Sequence, residues 1–137
     1  SIKVIENELQ RTEDPESESV YEKVNKKVQI YEIDGPFFFG IANKFDELAA
    51  ETTTRKPQVR IVRMRKVPFI DSTGLKNLRS LCDKSRKEKI QIILSGVTDE
   101  VYQVLDRSGF ADELGKEFIF DHISKALDKA NELTANN

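Results

Sequence analysis

The sequence predicts an α/β fold, a mixed and mostly parallel β-sheet with helices packed on it. Three observations carry that reading. Short β-branched runs alternate with stretches whose apolar residues recur at helical spacing, the pattern of strand–helix–strand units. The first clear run, Val28–Ile33, alternates only imperfectly, which suits a strand covered on both faces. A length of 137 residues suits one domain, large enough to bury a single core without staples.

The elements follow in order. Residues 1–19 join a short apolar start (Ile2, Val4, Ile5) to an acidic stretch around Pro15 that reads as a loop or linker, and the domain proper is placed at 20–137. After the strand at Val28–Ile33, a Gly35-Pro36 turn leads into Phe37-Phe38-Phe39-Gly40, and Ile41, Phe45, Leu48 and Ala49 then recur at helical spacing. Lys56-Pro57 ends that helix, and Val59–Met64 forms the next strand. Leu75, Leu78, Leu81 and Cys82 make the inner stripe of a helix whose outer face and end are basic: Lys76, Arg79, Lys84, Arg86, Lys87 and Lys89. Ile90–Gly96 is the clearest strand of the chain. Thr98 is placed to cap a helix bearing Val101, Val104 and Leu105, and Gly109 to end it. Phe118-Ile119-Phe120 reads as a short last strand, with Asp121 capping a final helix that carries Ile123, Ala126, Leu127 and Ala130.

Composition excludes several functions. With 22 basic and 24 acidic residues and a net charge of −2, the chain lacks the basic excess of a nucleic-acid binder. Its longest strongly apolar run, Phe37 to Ala42, is far short of the roughly 20 residues a membrane helix needs. The first residues are polar and mixed in charge, unlike a signal peptide, and a start at Ser1 rather than Met suggests a piece of a longer protein. The single cysteine, Cys82, fits a reducing compartment and reads as a buried structural thiol.

The segment with most chemical content is Ile70-Asp71-Ser72-Thr73-Gly74-Leu75. It places Ser72 and Thr73 at a helix N-terminus, where free N–H groups and the positive end of the helix dipole favour an anion. A hydroxyl, a carboxylate and open N–H groups converge there, so added charge can act as a switch. The same letters also describe an ordinary helix start capped by Ser72 or Thr73.

Asp34-Gly35-Pro36-Phe37-Phe38-Phe39-Gly40 and Asp71-Ser72-Thr73-Gly74, at this separation, together resemble the STAS domain, the module shared by sulfate transporters and anti-sigma factor antagonists. The resemblance covers most of the chain, Val20 to Leu133. The Phe-Phe-Phe-Gly turn is similar to the SulP transporter branch, and the Gly-Glu-Leu/Ile-Asp element of the antagonists is absent. The resemblance implies a STAS fold with an additional antiparallel strand near the N-terminus. It also implies a place on the cytoplasmic side of the membrane, after the last membrane helix of an anion transporter, with residues 1–19 as connector. The implied cargo is sulfate or a similar inorganic or carboxylate anion. The implied partners are the membrane domain of the same transporter, a neighbouring protomer and a cytosolic regulatory protein. In the antagonist branch the hydroxyl residue directly after the loop Asp is phosphorylated, and Ser72 matches it. The alternative is therefore a free-standing antagonist switched at Ser72.

Phe37, Phe38 and Phe39 cannot all face one core, because neighbours in extended backbone point oppositely, so they are candidates for partner contact as well as core wedges. The basic run Lys84 to Lys89 fits anionic lipid, an acidic partner or plain solvent. His122, the only histidine, has no ligand-spaced neighbours, so neither a metal site nor a catalytic dyad is expected. No phosphate-loop motif supports nucleotide binding, and no cofactor is expected. The chain reads as a non-catalytic domain.

Overall fold

The computed structural model describes residues 2–5, 24–34 and 56–135. The acidic linker, the Phe37–Phe39 run and the helix expected at Ile41–Ala49 lie outside them.

Strands β1 (Ile2–Ile5), β2 (Val28–Asp34), β3 (Val59–Lys66) and β4 (Gln91–Ser95) form one sheet in the order β1-β2-β3-β4. β2, β3 and β4 run parallel, with Ile30 opposite Ile61 and Ile61 opposite Ile93. β1 is antiparallel to β2, Ile2 facing Ile33 and Ile5 facing Ile30. Around the sheet lie α1 (Ser72–Lys87), α2 (Asp99–Arg107), the short α3 (Phe110–Leu114) and α4 (Ile123–Thr134).

Strand alternation sorts the apolar residues into two cores. Tyr31, Ile33, Val62, Met64, Ile92 and Leu94 pack with Leu75, Leu78 and Leu81 of α1 and with Val101, Leu105 and Phe110. From the opposite face Val28, Ile30, Val59, Ile61 and Ile93 pack with Ile123, Ala126, Leu127 and Ala130 of α4. Val28 to Ile33 are therefore all buried, which explains why their sequence alternates so poorly. At the far end of α4, Asn25 donates to Asn131 Oδ1 at 3.1 Å and to Thr134 Oγ1 at 3.2 Å, tying that helix to the chain that leads into β2.

Thr98 caps α2, accepting from Val101 N–H at 3.2 Å, and Gly109 follows that helix with φ +86°, a left-handed conformation suited to glycine. Two expectations are corrected. Phe118–Phe120 is not a strand: Lys116–Phe118 coil into a 3₁₀ turn, and only Ile119 bridges to Leu94. Gly115, at φ +108°, turns the chain just before it, so no extended run precedes the bridge. Asp121 does not cap α4. His122 does, its Nδ1 accepting from Ser124 N–H at 3.1 Å, while Asp121 pairs with Lys125 one turn on at 2.9 Å. Among the described residues no helix is long and apolar enough to cross a membrane.

Candidate functional site

The loop from β3 to α1 is held at its root by a charge pair. Glu32 of β2 is buried, and its carboxylate accepts from Arg65 Nε at 2.6 Å, joining β2 to β3 just before the loop departs. Val67 N–H donates to Met64 O at 3.0 Å and turns the chain. Val67 and Ile70 are buried, whereas Pro68 and Phe69 between them face outward, Phe69 with 52% of its surface exposed. The loop is thus pinned at both ends with an aromatic at its tip.

Asp71 follows in extended backbone (φ −96°, ψ −177°), and its Oδ1 accepts from Gly74 N–H at 2.8 Å. Leu75 N–H closes the first helical turn on Asp71 O at 2.9 Å. The carboxylate, and neither hydroxyl, is the cap. An ionised acceptor makes the stronger bond to a helix N–H, and such a cap contributes about 1 kcal/mol. Burial of Gly74 and Leu75 fixes the phase of the helix, which leaves Thr73 half-buried and Ser72 exposed as the first helical residue. The first turn carries no acid of its own, so the cap residue Asp71 supplies the carboxylate at this end of α1. The structure therefore brings the acid, the exposed hydroxyl and Phe69 to one short loop.

This loop sits at the carboxyl ends of the parallel strands, the edge where open α/β sheets place their ligands and partners. The β4–α2 loop lies at the same edge. Its Gly96, at φ +65°, lies against the backbone of Arg65. The antiparallel β1 begins there too, since Ile2 is opposite Ile33. The exposed basic side chains Lys84, Arg86, Lys87 and Lys89 are at the opposite edge, because α1 runs back along the sheet. Arg79 does not belong to that surface: it donates to Glu113 at 3.0 Å and to Ser108 O at 2.8 Å, bracing α1 against its neighbours.

Phe69 and Gly96 were not singled out by sequence reasoning. The available signal was Pro68-Phe69 itself, an apolar residue lying between a strand and a cap where no core face exists. Phe37, Phe38 and Phe39 lie outside the described residues. Among the described residues no group of three or more His, Cys, Asp and Glu side chains could hold a metal ion.

Cys82 is buried, and burial pushes its thiol from 9.0 up to about 12. Between about 9 and about 12 the unfolded chain holds fewer protons at this thiol than the folded one, so stability falls as pH rises; below about 9 the contribution is fully present. At about 1.4 kcal/mol per pH unit, wild type should lose about 1.4 kcal/mol more than Cys82→Ala between pH 8 and 10. Urea unfolding at the two pH values checks this, and equal losses would refute it.

A three-stranded parallel sheet with an antiparallel strand at one edge and helices on both faces defines the class of α/β domain to which this chain belongs. The model of the STAS domain family matches residues 20–130, and the chain belongs to that family. Its fold matches the crystal structure of a sulfate transporter family protein from Wolinella succinogenes with a TM-score of 0.74 and 44% identity, covering 82% of this chain and 91% of that one. It also matches the STAS domain of a SulP transporter from Vibrio cholerae, with a TM-score of 0.74 and 27% identity over 83% of this chain and 88% of that one. Sulfate transporter 1.3 of Arabidopsis thaliana is 31% identical over 88 residues, 63% of this chain and 13% of that protein. The chain spans between 13% and 18% of the length of the curated relatives it matches.

Proposed function

We propose that this chain is the cytoplasmic regulatory and interaction domain of a SulP-type anion transporter, working by protein–protein contact through the Pro68–Leu75 loop. The observation that carries the reading is the Asp71-capped helix start, which leaves Ser72 exposed beside the outward-facing Phe69. Phe69 supplies an apolar anchor of the kind that dominates interfaces. Asp71 and Ser72 supply charge that can be changed. A phosphate on Ser72 would add about −1.5 to −2 charges next to the Asp71 carboxylate, while the first-turn N–H groups favour an anion. The fold tolerates that charge, and the surface offered to a partner becomes more negative. Contact with the membrane domain is supported by β1, which brings the N-terminal chain in at this same edge. Sulfate or a similar anion as cargo, a neighbouring protomer, and a cytosolic partner touching this loop or Phe37–Phe39 belong to the same proposal.

The test is transport by the intact protein carrying Ser72→Ala or Ser72→Glu. Stability of the domain should change by less than about 0.5 kcal/mol in either variant, because Ser72 is exposed and does not cap. Transport or partner binding should differ severalfold between the two. If both variants match wild type in both readouts, the loop is only a helix start.

The exposed hydroxyl directly after Asp71 also favours a second reading, a free-standing anti-sigma factor antagonist switched at Ser72. Expression of the natural gene as a short chain with no membrane segments would establish that reading in place of the first.

A further inference from the structure

Arg60 is a buried cation with no carboxylate paired to it among the described residues. It keeps only 5% of its surface, and its Nε is buried without a hydrogen-bond partner. Among the described residues its electrostatic contact is the face of Tyr31, with the guanidinium carbon 4.9 Å from the ring centroid. Arg65, further along the same strand, differs in kind, since its Nε donates to the Glu32 carboxylate at 2.6 Å.

The position is well defined. Arg60 alternates with Val62 and Met64, so it points to the sheet face that α1 covers, and it lies opposite Gln29 and Ile92. Tyr31 is held there by its hydroxyl, which donates to Gln29 Oε1 at 3.2 Å. Ser85 of α1 reaches the same end of the same face. Its carbonyl accepts from Ile90 N–H at 2.8 Å immediately before β4 begins, and its Oγ is also buried without a partner. Among the described residues, two of the three buried polar side-chain atoms that lack partners therefore occupy one end of one face, away from the Asp71–Ser72 loop.

Burying a guanidinium without a carboxylate is unfavourable, and an aromatic face offsets only part of that cost. Stacking leaves the edge of the planar guanidinium, which carries the unpartnered Nε–H, able to donate to an oxyanion. With so little surface exposed, the group admits a small ion rather than a helix or a lipid headgroup.

We propose that Arg60, with Ser85 at the same end of the sheet, forms a binding site for a small inorganic oxyanion within the domain. This site is separate from the loop at the opposite edge and does not depend on the function proposed for it.

The experiment is a titration of the ¹⁵N-labelled chain with sulfate and with phosphate at constant ionic strength, chloride serving as the comparison salt. The reporter is the Arg60 Nε–Hε resonance, assigned by through-bond correlation to the side-chain carbons of Arg60 in ¹³C,¹⁵N-labelled wild type. A saturable displacement by sulfate or phosphate, weakened about tenfold or more in Arg60→Lys as read on neighbouring amides, is the expected result. If Arg60→Lys does not fold, the wild-type titration decides alone. A resonance that neither ion moves means that water solvates the group, and the proposal fails. A resonance moved by acetate but by neither oxyanion means that a protein carboxylate is the natural partner, which also overturns it.

Discussion

Replacing Gly96 with alanine should destabilise the domain by about 2–5 kcal/mol, among the largest effects of any single methyl group in the chain. Two costs add. Gly96 has φ +65°, where an L side chain costs about 1–2 kcal/mol. A Cβ at this position would also meet the Arg65 backbone nitrogen at 2.7 Å, its Cβ at 2.8 Å and its Cα at 2.9 Å. Those atoms belong to β3 and cannot swing aside as a flexible side chain can, so the β4–α2 loop must lift off the strand, and overpacking of this kind costs about 1–3 kcal/mol. Arg65 is also the partner of Glu32 at the root of the β3–α1 loop, so the damage extends to the candidate site. A fall in the urea midpoint with an unchanged slope would show the effect. A midpoint within error of wild type would mean that the loop does not lie where it is described.

Leu78→Ala is the second large effect, at about 2–5 kcal/mol. Leu78 is fully buried at the centre of the α1 stripe, among the residues that join that helix to the sheet. Truncation removes transfer free energy and leaves a cavity that packed neighbours on the sheet cannot fill by collapsing. Because the same helix carries Asp71 and Ser72 at its start, the loop should loosen as well. Faster hydrogen exchange at Gly74 and Leu75 N–H than the global loss of stability accounts for would show that coupling. Exposed Lys76, two positions away on the same helix, provides the contrast: Lys76→Ala should stay within about 0.5 kcal/mol of wild type.

The strands and helices were legible because burial imposes its period on the sequence. Leu75, Leu78, Leu81 and Cys82 announce α1, and Thr98 and Gly109 bracket α2, each for a reason local to a few residues. What was not legible depended on choices between neighbours. Asp71, Ser72 and Thr73 are three adjacent residues able to cap, and only the burial of Gly74 and Leu75 selects the carboxylate. Asp121 is a better cap than His122 by type, yet Lys125 one turn on takes its carboxylate. Phe118-Ile119-Phe120 has the letters of a strand, but Gly115 and the tight turn after it leave room for one bridge. Arg60 and Glu32 look like exposed positions of a strand, and nothing local to them reveals that both are buried. For the site, the acid and hydroxyl were legible, whereas the aromatic tip required knowing that Val67 and Ile70 turn inward and leave Phe69 outside.

On the proposed function, the sheet edge bearing Asp71, Ser72 and Phe69 meets the membrane domain. The direct measurement is cross-linking in membranes of the intact protein, in a Cys82→Ala background, from a single cysteine placed by Ser72→Cys or by Lys87→Cys. The two positions open and close α1 and so sample opposite edges of the sheet. A short thiol-to-amine cross-link to the membrane domain is expected from position 72 and none from position 87. A cross-link from position 87 alone, or from neither, would contradict it.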